Sequence, residues 1–455
     1  MSTLSPHPLR QALHNEIHAR PPEPIAMPQV ISHIVMVCDA QERAASRQML
    51  LARLSEPQRA EVAADAIHLR LDFGAYRLRW EMHTEFVTYT FMRPLEMAAA
   101  EAVVPESTAL EVVPADWLAA LPGHCLVGLH LWALPGAAAT LNASADAADS
   151  WDGLTQAVVG LPMVPPIPWV KQLLQEDSLV GSTIAGGQAE VYTDYVLHPD
   201  GFSRMLLMGR GLSPRRVGRN VQRLLEIETY RMAALLGLPV AREAAHTLAV
   251  AERELAALAE AIRSASRNDE PLLLDRLTRL AGQVESQYAA MHSRFSASAA
   301  YFELVDKRIA DLREVRLGGM QSIREFMERR LSPARSTCEW VRRRQDALSQ
   351  RVSRVSNLLR TRVEIEQQQS SQGVLTAMNQ RQGVQLRMQA TVEGLSVAAI
   401  TYYIVGLVSY LAKGGHALGW PWSAESTAAA AIPVVGLSVW WSMRRLHHKM
   451  FGDAH

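Results

Sequence analysis

Apolar and polar positions alternate along the first two hundred residues and then switch to a three-to-four-residue period. Successive strand side chains point to opposite faces, so the alternation predicts strands at Val30–Val37, Ile67–Leu71, Ala75–Met82, Phe86–Met92, Leu126–Leu134, Glu190–Leu197 and Phe202–Met208. Short helical stretches near 41–54, 95–102 and 115–121 interrupt them. This pattern predicts an α+β domain over 28–212 behind an N-terminal arm, 1–27. The run LPMVPPIPW, 161–169, reads as a stiff extended linker or an edge segment.

From residue 213 the pattern is helical. Ser213-Pro214 and Ser332-Pro333 pair an N-cap with proline at a first helical position, Pro239 follows Gly237, and Pro271 follows the capping cluster Asn268-Asp269-Glu270. With a break at Gly318-Gly319, helices are expected near 214–236, 239–267, 271–316, 320–331 and 334–390. The first four form a helical region, 213–333; the last, at about 1.5 Å per residue, is a stalk of roughly 85 Å. Val341, Leu348 and Val355 share one heptad position and Leu358 and Ile365 another, with Arg344 and Arg351 interrupting the second. An imperfect coiled coil of this kind predicts a homo-oligomer joined through the stalk.

The C-terminus reads as a transmembrane hairpin, 391–448, with a tail at 449–455. No formal charge occurs over 394–412 or 426–443, and each stretch is close to the 20 or so residues a spanning helix needs. Tyr402, Tyr403, Trp420, Trp422, Trp440 and Trp441 sit near the ends as an interfacial aromatic belt. The competing reading is a buried helical hairpin in a soluble core. Arg381 and Arg387 precede the first stretch, Arg444, Arg445 and Lys449 follow the second, and Lys413 alone lies between, which places both termini in the cytoplasm. Pro433 is expected to kink the second helix.

Composition changes this picture in one respect. The 455 residues carry 46 basic and 46 acidic side chains, but the balance is a cancellation: 13 against 23 up to residue 212, 29 against 20 over 213–390, and 4 against 3 beyond. An acidic head, a basic helical body and an almost uncharged hairpin follow. No overall basic excess marks a nucleic-acid binder. Three dispersed cysteines fit a reducing cytoplasm, and the first 22 residues hold no apolar stretch of the kind a secretory signal requires.

Candidate chemistry is sparse, with no P-loop, GxGxxG, HExxH or GxSxG pattern. His14, Glu16 and His18 alternate, so an extended chain would put two imidazoles and a carboxylate on one face, a competent set for a divalent metal. Arg20 follows them, and His83 and Glu85 repeat the spacing. The structural alternative is an arm bonded to the sheet, its arginine paired with a carboxylate. Glu226 and Glu228 stand too far apart around a helix to act as a carboxylate pair, and Glu228 with Arg231 reads as a surface ion pair.

The segments LHNEIHARPPEP, LRWEMHTEFVTYTF, VYTDY with DGFSR, and GRNVQRLLEIETYRMAALLGLPVA resemble a bacterial family of uncharacterised, predicted membrane-anchored proteins known as a domain of unknown function. The resemblance runs over nearly the whole chain and implies a bacterial inner-membrane location; it implies no reaction. The layout is similar, more loosely, to CorA-type divalent-cation channels, but Leu411-Ala412-Lys413-Gly414-Gly415-His416 stands where those channels carry Gly-Met-Asn. The leading expectation is a non-enzymatic oligomeric scaffold or sensor facing the cytoplasm. The alternatives are a CorA-like transporter, with Ser396, Thr401, Tyr402 and Ser409 lining its pore, and a metal- or ligand-dependent enzyme using the His/Glu cluster.

Overall fold

Val30, Ile34 and Met36 on one side of strand β1 (Gln29–Val37), and Ile31 and Val35 on the other, are all buried, so this strand needs cover on both faces. The computed structural model, which describes residues 7–11, 13–14, 21–63, 66–96, 107–136, 168–266, 268–416, 419 and 421–451, supplies it. Helices α1 (Ala40–Ala52), α2 (Glu56–Glu61) and α3 (Ala115–Ala119) accompany strands β2 (His68–Asp72), β3 (Arg77–Met82), β4 (Phe86–Pro94) and β5 (His124–Pro135). Helix α4 (Pro168–Leu173) then precedes β6 (Val180–Ile184), β7 (Ala189–Thr193) and β8 (Ser203–Gly209). The described strands form one sheet in the order β2-β3-β4-β1-β5-β8-β7-β6, closed at its far edge by β9 (Val315–Arg316). Within it β5 and β8 pair in parallel, and the other neighbours are antiparallel.

Two cores result, one per face. On one face Leu50, Trp117 and Leu173 from α1, α3 and α4 pack on Trp80, Tyr89, Phe91 and Trp132. The other face carries α5 (Pro214–Leu235), the later part of α7 (Glu270–Leu312) and the start of α8 (Ile323–His416). There Val221, Leu224, Ile309 and Met327 cover Ile31, Val35, Leu131 and Leu207. Helix α6 (Gly237–Ser264) joins α5 to α7, and α9 (Ala424–Phe451) ends the chain.

Each of the seven expected strands overlaps an observed one, while β6 and β9 were not anticipated. The expected break before Pro333 is absent: α8 is one helix running through Pro333. Its first turns are held by tertiary contacts that outweigh the lost backbone bond. Leu331, Ala334, Cys338, Val341 and Leu348 are buried, Arg335 donates to the Phe302 carbonyl and to Asp306 (both 2.8 Å), and Gln345 donates to the Val284 carbonyl. Val341 and Leu348, two residues of the first heptad position, therefore pack inside this chain and Val355 is half-buried, whereas Leu358 and Ile365 are exposed. Of the helix expected near 95–102, Leu95 and Glu96 are not helical and the rest lies outside the described residues. The same holds for 161–167, while Pro168 and Trp169 open α4 rather than extending.

The chain divides into two compact units, Met1–Ser264 with Asp275–Arg354, and Ala265–Leu274 with Val355–His455. In the second, Arg362 pairs with the buried Glu270 at 2.7 Å beside the buried Leu273 and Leu359. The first unit, the head, fixes its arm by close approach. The Ile25 amide donates to the Pro214 carbonyl at 2.9 Å, Glu23 pairs with Arg77, and Arg70 donates to the Pro21 carbonyl. Only a residue without Cβ fits beneath this arm at position 218, because a Cβ there would overlap the Glu23 carbonyl oxygen. Gly218→Ala should therefore destabilise the head by roughly 1–3 kcal/mol in denaturant unfolding. Gly282→Ala, on a helix with open space around it, should instead stabilise by up to about 1 kcal/mol.

Candidate functional site

A histidine ties the sheet to its helical cover. His33 of β1 is 4% exposed; its Nδ1 is 2.8 Å from Thr90 Oγ1 on β4 and its Nε2 is 3.0 Å from Thr229 Oγ1 on α5. Thr229 gives its hydroxyl proton to the Leu225 carbonyl, one helical turn back, at 2.8 Å. It can only accept from the imidazole, so Nε2 carries the proton and Nδ1 accepts from Thr90. Both ring nitrogens are thereby satisfied in the neutral form. Burial, reinforced by the nearby Arg79 and His83, lowers the His33 pKa to about 3.

Beside this anchor the sheet and its helical cover part. Arg79 and Glu81 alternate along β3 on the face that also carries His33, Thr88 and Thr90. Gln222, Glu226 and Tyr230 look down from α5, and Arg308 from α7, onto a cavity of about 240 Å³. Arg79 pairs with Glu81 at 2.7 Å, Arg308 pairs with Glu226, and Gln222 Nε2 donates to Glu226 at 2.8 Å. Two polar wall atoms stay without a protein partner, the buried Thr88 Oγ1 and Gln222 Oε1. His83, Phe86 and Tyr230 also line a wider recess of about 550 Å³ that reaches Arg43, Tyr301 and Leu304.

The residues expected to act together are distributed differently. His83 lies in the β3–β4 turn, its ring 4.6 Å from that of Phe86, and faces both cavities. Glu85, two residues on, turns instead to α7, accepting from Arg294 at 2.9 Å and Tyr301 at 3.0 Å. Burial and that carboxylate raise the Tyr301 pKa. His14 sits on an exposed helical stretch, and Glu16, His18 and Arg20 lie outside the described residues. Among the described residues no group of three or more His, Cys, Asp or Glu side chains is placed to hold a metal ion. Of the expected pore residues, Ser396, Thr401 and Ser409 are half-buried and Tyr402 is exposed.

One expectation is corrected outright. Glu228 and Arg231 are a buried pair, bonded at 2.5 and 3.0 Å, with the guanidinium 5.3 Å from the Tyr195 ring centre and Glu228 also accepting from Ser203 at 3.4 Å. Their spacing matches that of surface pairs; packing against Tyr195 and Ser203, which the spacing does not reveal, accompanies their burial. Glu226, by contrast, faces the cavity, in keeping with the two carboxylates' separation around α5. His33, Arg79, Thr88, Gln222 and Arg308 did not stand out in the sequence. The available signal was a row of polar residues, His33, Thr88 and Thr90, at core-facing positions of otherwise apolar strands.

Comparison with known proteins places the chain. It belongs to the family described as protein of unknown function (DUF3422), which it matches over residues 5–450. No curated protein and no solved structure matches it. The looser likeness to CorA-type channels thus has no support from any match.

The neutral imidazole carries a pH signature. An unfolded histidine titrates near 6.5 and folded His33 near 3, so the unfolded chain binds the extra proton and stability falls as pH drops from about 6.5 toward 3. The slope is about 1.4 kcal/mol per pH unit for each such group. His130, lowered to about 4 by burial, acts in the same direction. Urea unfolding between pH 5 and 7.5 should show His33→Gln flattening this dependence by about one proton; an unchanged slope would refute a buried neutral imidazole.

Proposed function

We propose that this DUF3422 protein is a two-span integral membrane protein of the bacterial inner membrane whose cytoplasmic head acts as a non-enzymatic sensor or scaffold. The observation that carries the reading is the exposed apolar surface of the last two helices. α8 and α9 contain 18-residue windows of mean hydropathy 1.8 and 1.3, and no part of either window is buried. Leu395, Leu407 and Leu411 on the first, and Val434, Leu437 and Trp441 on the second, are each more than half exposed. A hairpin serving as a soluble core would bury these side chains, so their exposure favours the membrane reading over the soluble one. A bilayer covers them without further protein, and both helices satisfy their own backbone groups.

The ends of the two helices support the placement. Lys413 lies 5.6 Å from the Tyr410 ring centre, Arg444 5.1 Å from Trp440, and Arg445 5.0 Å from Trp441. Such aromatic–cation pairs suit the headgroup region. The larger basic cluster, on the side of the chain termini, favours that side as cytoplasmic. Gly436 and Thr401 mark where the two helices meet, a Cβ at position 436 falling in ordinary van der Waals contact, 3.8 Å, with Thr401 Cγ2. Self-association is favoured by Leu358, Ile365, Leu375, Met378 and Leu386, apolar side chains left exposed on α8 before the span. An ion or metal function draws no comparable support.

In the full chain with its three native cysteines replaced by serine, Ser423→Cys and Ala454→Cys separate the sides of the membrane. The chain should stay in the membrane on carbonate extraction. A membrane-impermeant maleimide should reach position 423 from outside the cell and position 454 only after permeabilisation. Release by carbonate, or both positions labelled from one side, would refute the two-span anchor. Light scattering in detergent should give more than one subunit; a monomer would remove the oligomer.

A further inference from the structure

We infer that the cavity between β3, β4, α5 and α7 binds a small zwitterion, a molecule of free-amino-acid size that carries both an ammonium and a carboxylate. The inference rests on reading the head as a sensor, and is independent of how the chain is anchored.

Two orphaned atoms set the requirement. Thr88 is 3% exposed, and its hydroxyl finds no partner in the protein although it lines the cavity. A buried polar atom left unmatched is destabilising, and a ligand hydrogen bond would recover that loss. Gln222 is held in one orientation because its Nε2 donates to Glu226 at 2.8 Å. Its buried Oε1 is therefore an acceptor facing no donor. Such an oxygen calls for an N–H or O–H, and the adjoining Glu226 carboxylate makes an ammonium the best-matched donor.

The opposite charge is provided for as well. The guanidinium of Arg79 has five N–H groups and donates to Glu81 through Nη2, while Arg308 uses Nε on Glu226 and Nη1 on Asp311. Each keeps donors for a planar carboxylate. Charge placement favours a ligand that carries both signs. The lining sets two guanidiniums against two carboxylates, with His33 neutral and the His83 imidazole also facing the space, so each end of a zwitterion finds its opposite charge. Its size follows from the volume, about 240 Å³, and Phe86 and Tyr230 at the opening to the wider recess offer apolar wall for a short side chain.

The test is isothermal titration of the full-length protein in detergent with L-alanine, L-proline, L-glutamine and γ-aminobutyrate, against n-propylamine, propionate and glycerol. At least one zwitterion should bind saturably, and at least tenfold more tightly than propylamine, propionate or glycerol. Thr88→Val and Gln222→Leu should each weaken that binding at least tenfold. Thr88→Val keeps the side-chain shape and removes the orphaned hydroxyl, so the melting temperature should hold or rise; a purely structural Thr88 would leave affinity unchanged. Propylamine, propionate or glycerol binding as tightly as the best zwitterion, and weakened by Thr88→Val, would overturn the ligand class while leaving the head a binding module. Zwitterion binding indifferent to both substitutions, or no saturable binding by any of the seven probes, would overturn the site itself.

Discussion

The central strand of the sheet has to be covered on both faces, yet it carries a polar side chain toward each, and the head depends on how that conflict is met. Toward the helical cover the polar group is His33; toward the other face it is Ser32, which accepts from the Ala109 amide at 3.2 Å and lies 2.8 Å from His130 Nδ1. Burying an imidazole is tolerable only when both nitrogens are matched and the ring is neutral. Thr229 enforces this for His33 by spending its own proton on Leu225. The consequence reaches further than one residue, because a helix bonded to the sheet through Thr229 to His33 and through Glu228 to Ser203 has its rotation fixed. With Thr229 turned to the sheet, Glu226 faces the cavity, Glu228 faces Arg231, and Gly218 faces the incoming arm.

The cavity follows from the same geometry. Near β1 the helix-facing side chains Ile31, Val35 and Met92 are apolar and the helices close over them. On β3 the same face bears Arg77, Arg79 and Glu81, which no apolar helix surface could cover at acceptable cost. The gap is lined instead by paired charges drawn from three elements. Arg79 with Glu81 and Arg308 with Glu226 balance one another, so both signs lie close together along the wall. That is a different environment from a surface cleft of one sign, which selects by long-range attraction. The proposed ligand would be held there by matched donors and acceptors at short range.

The strands were legible because alternation is a local property: each of the seven read from the sequence overlaps an observed one. β6 escaped because Val180-Gly181-Ser182-Thr183-Ile184 has too few apolar residues to show a period; it is paired along its length with β7, and Ser182 ties it to the helical side by donating to Glu314 at 2.8 Å and accepting from the Ile323 amide. β9 is two residues long and exists only through its neighbour. Ser332-Pro333 has the form of a helix start, and only the burial of the residues around it overrides that local signal. The candidate site was less legible still. Its residues come from positions 33 to 308 and meet through tertiary packing, whereas the spacing of His83 and Glu85 suggested a partnership that the turn between their strands dissolves.

Charge segregation along the chain also changes meaning once the fold is known. The acidic first part and the arginine-rich helices that follow it are in contact within the head, where Arg294 of α7 holds Glu85 beside the sheet. Arg308 and Arg344 likewise meet Glu226 and Glu252 from helices adjacent to their own. Arginine suits this work because its planar fork forms directed bonds to carboxylates while losing little hydration. Only the first of these pairs draws on the acidic part of the chain; the other two are balanced within the helical region itself. Nearest in the chain to the two apolar stretches are Arg381 and Arg387 on α8 and Arg444 and Arg445 on α9. Orientation in a membrane depends on basic residues within about 15–20 positions of a span, so for the proposed anchor this small set counts, and the larger excess spread over the helices of the head does not.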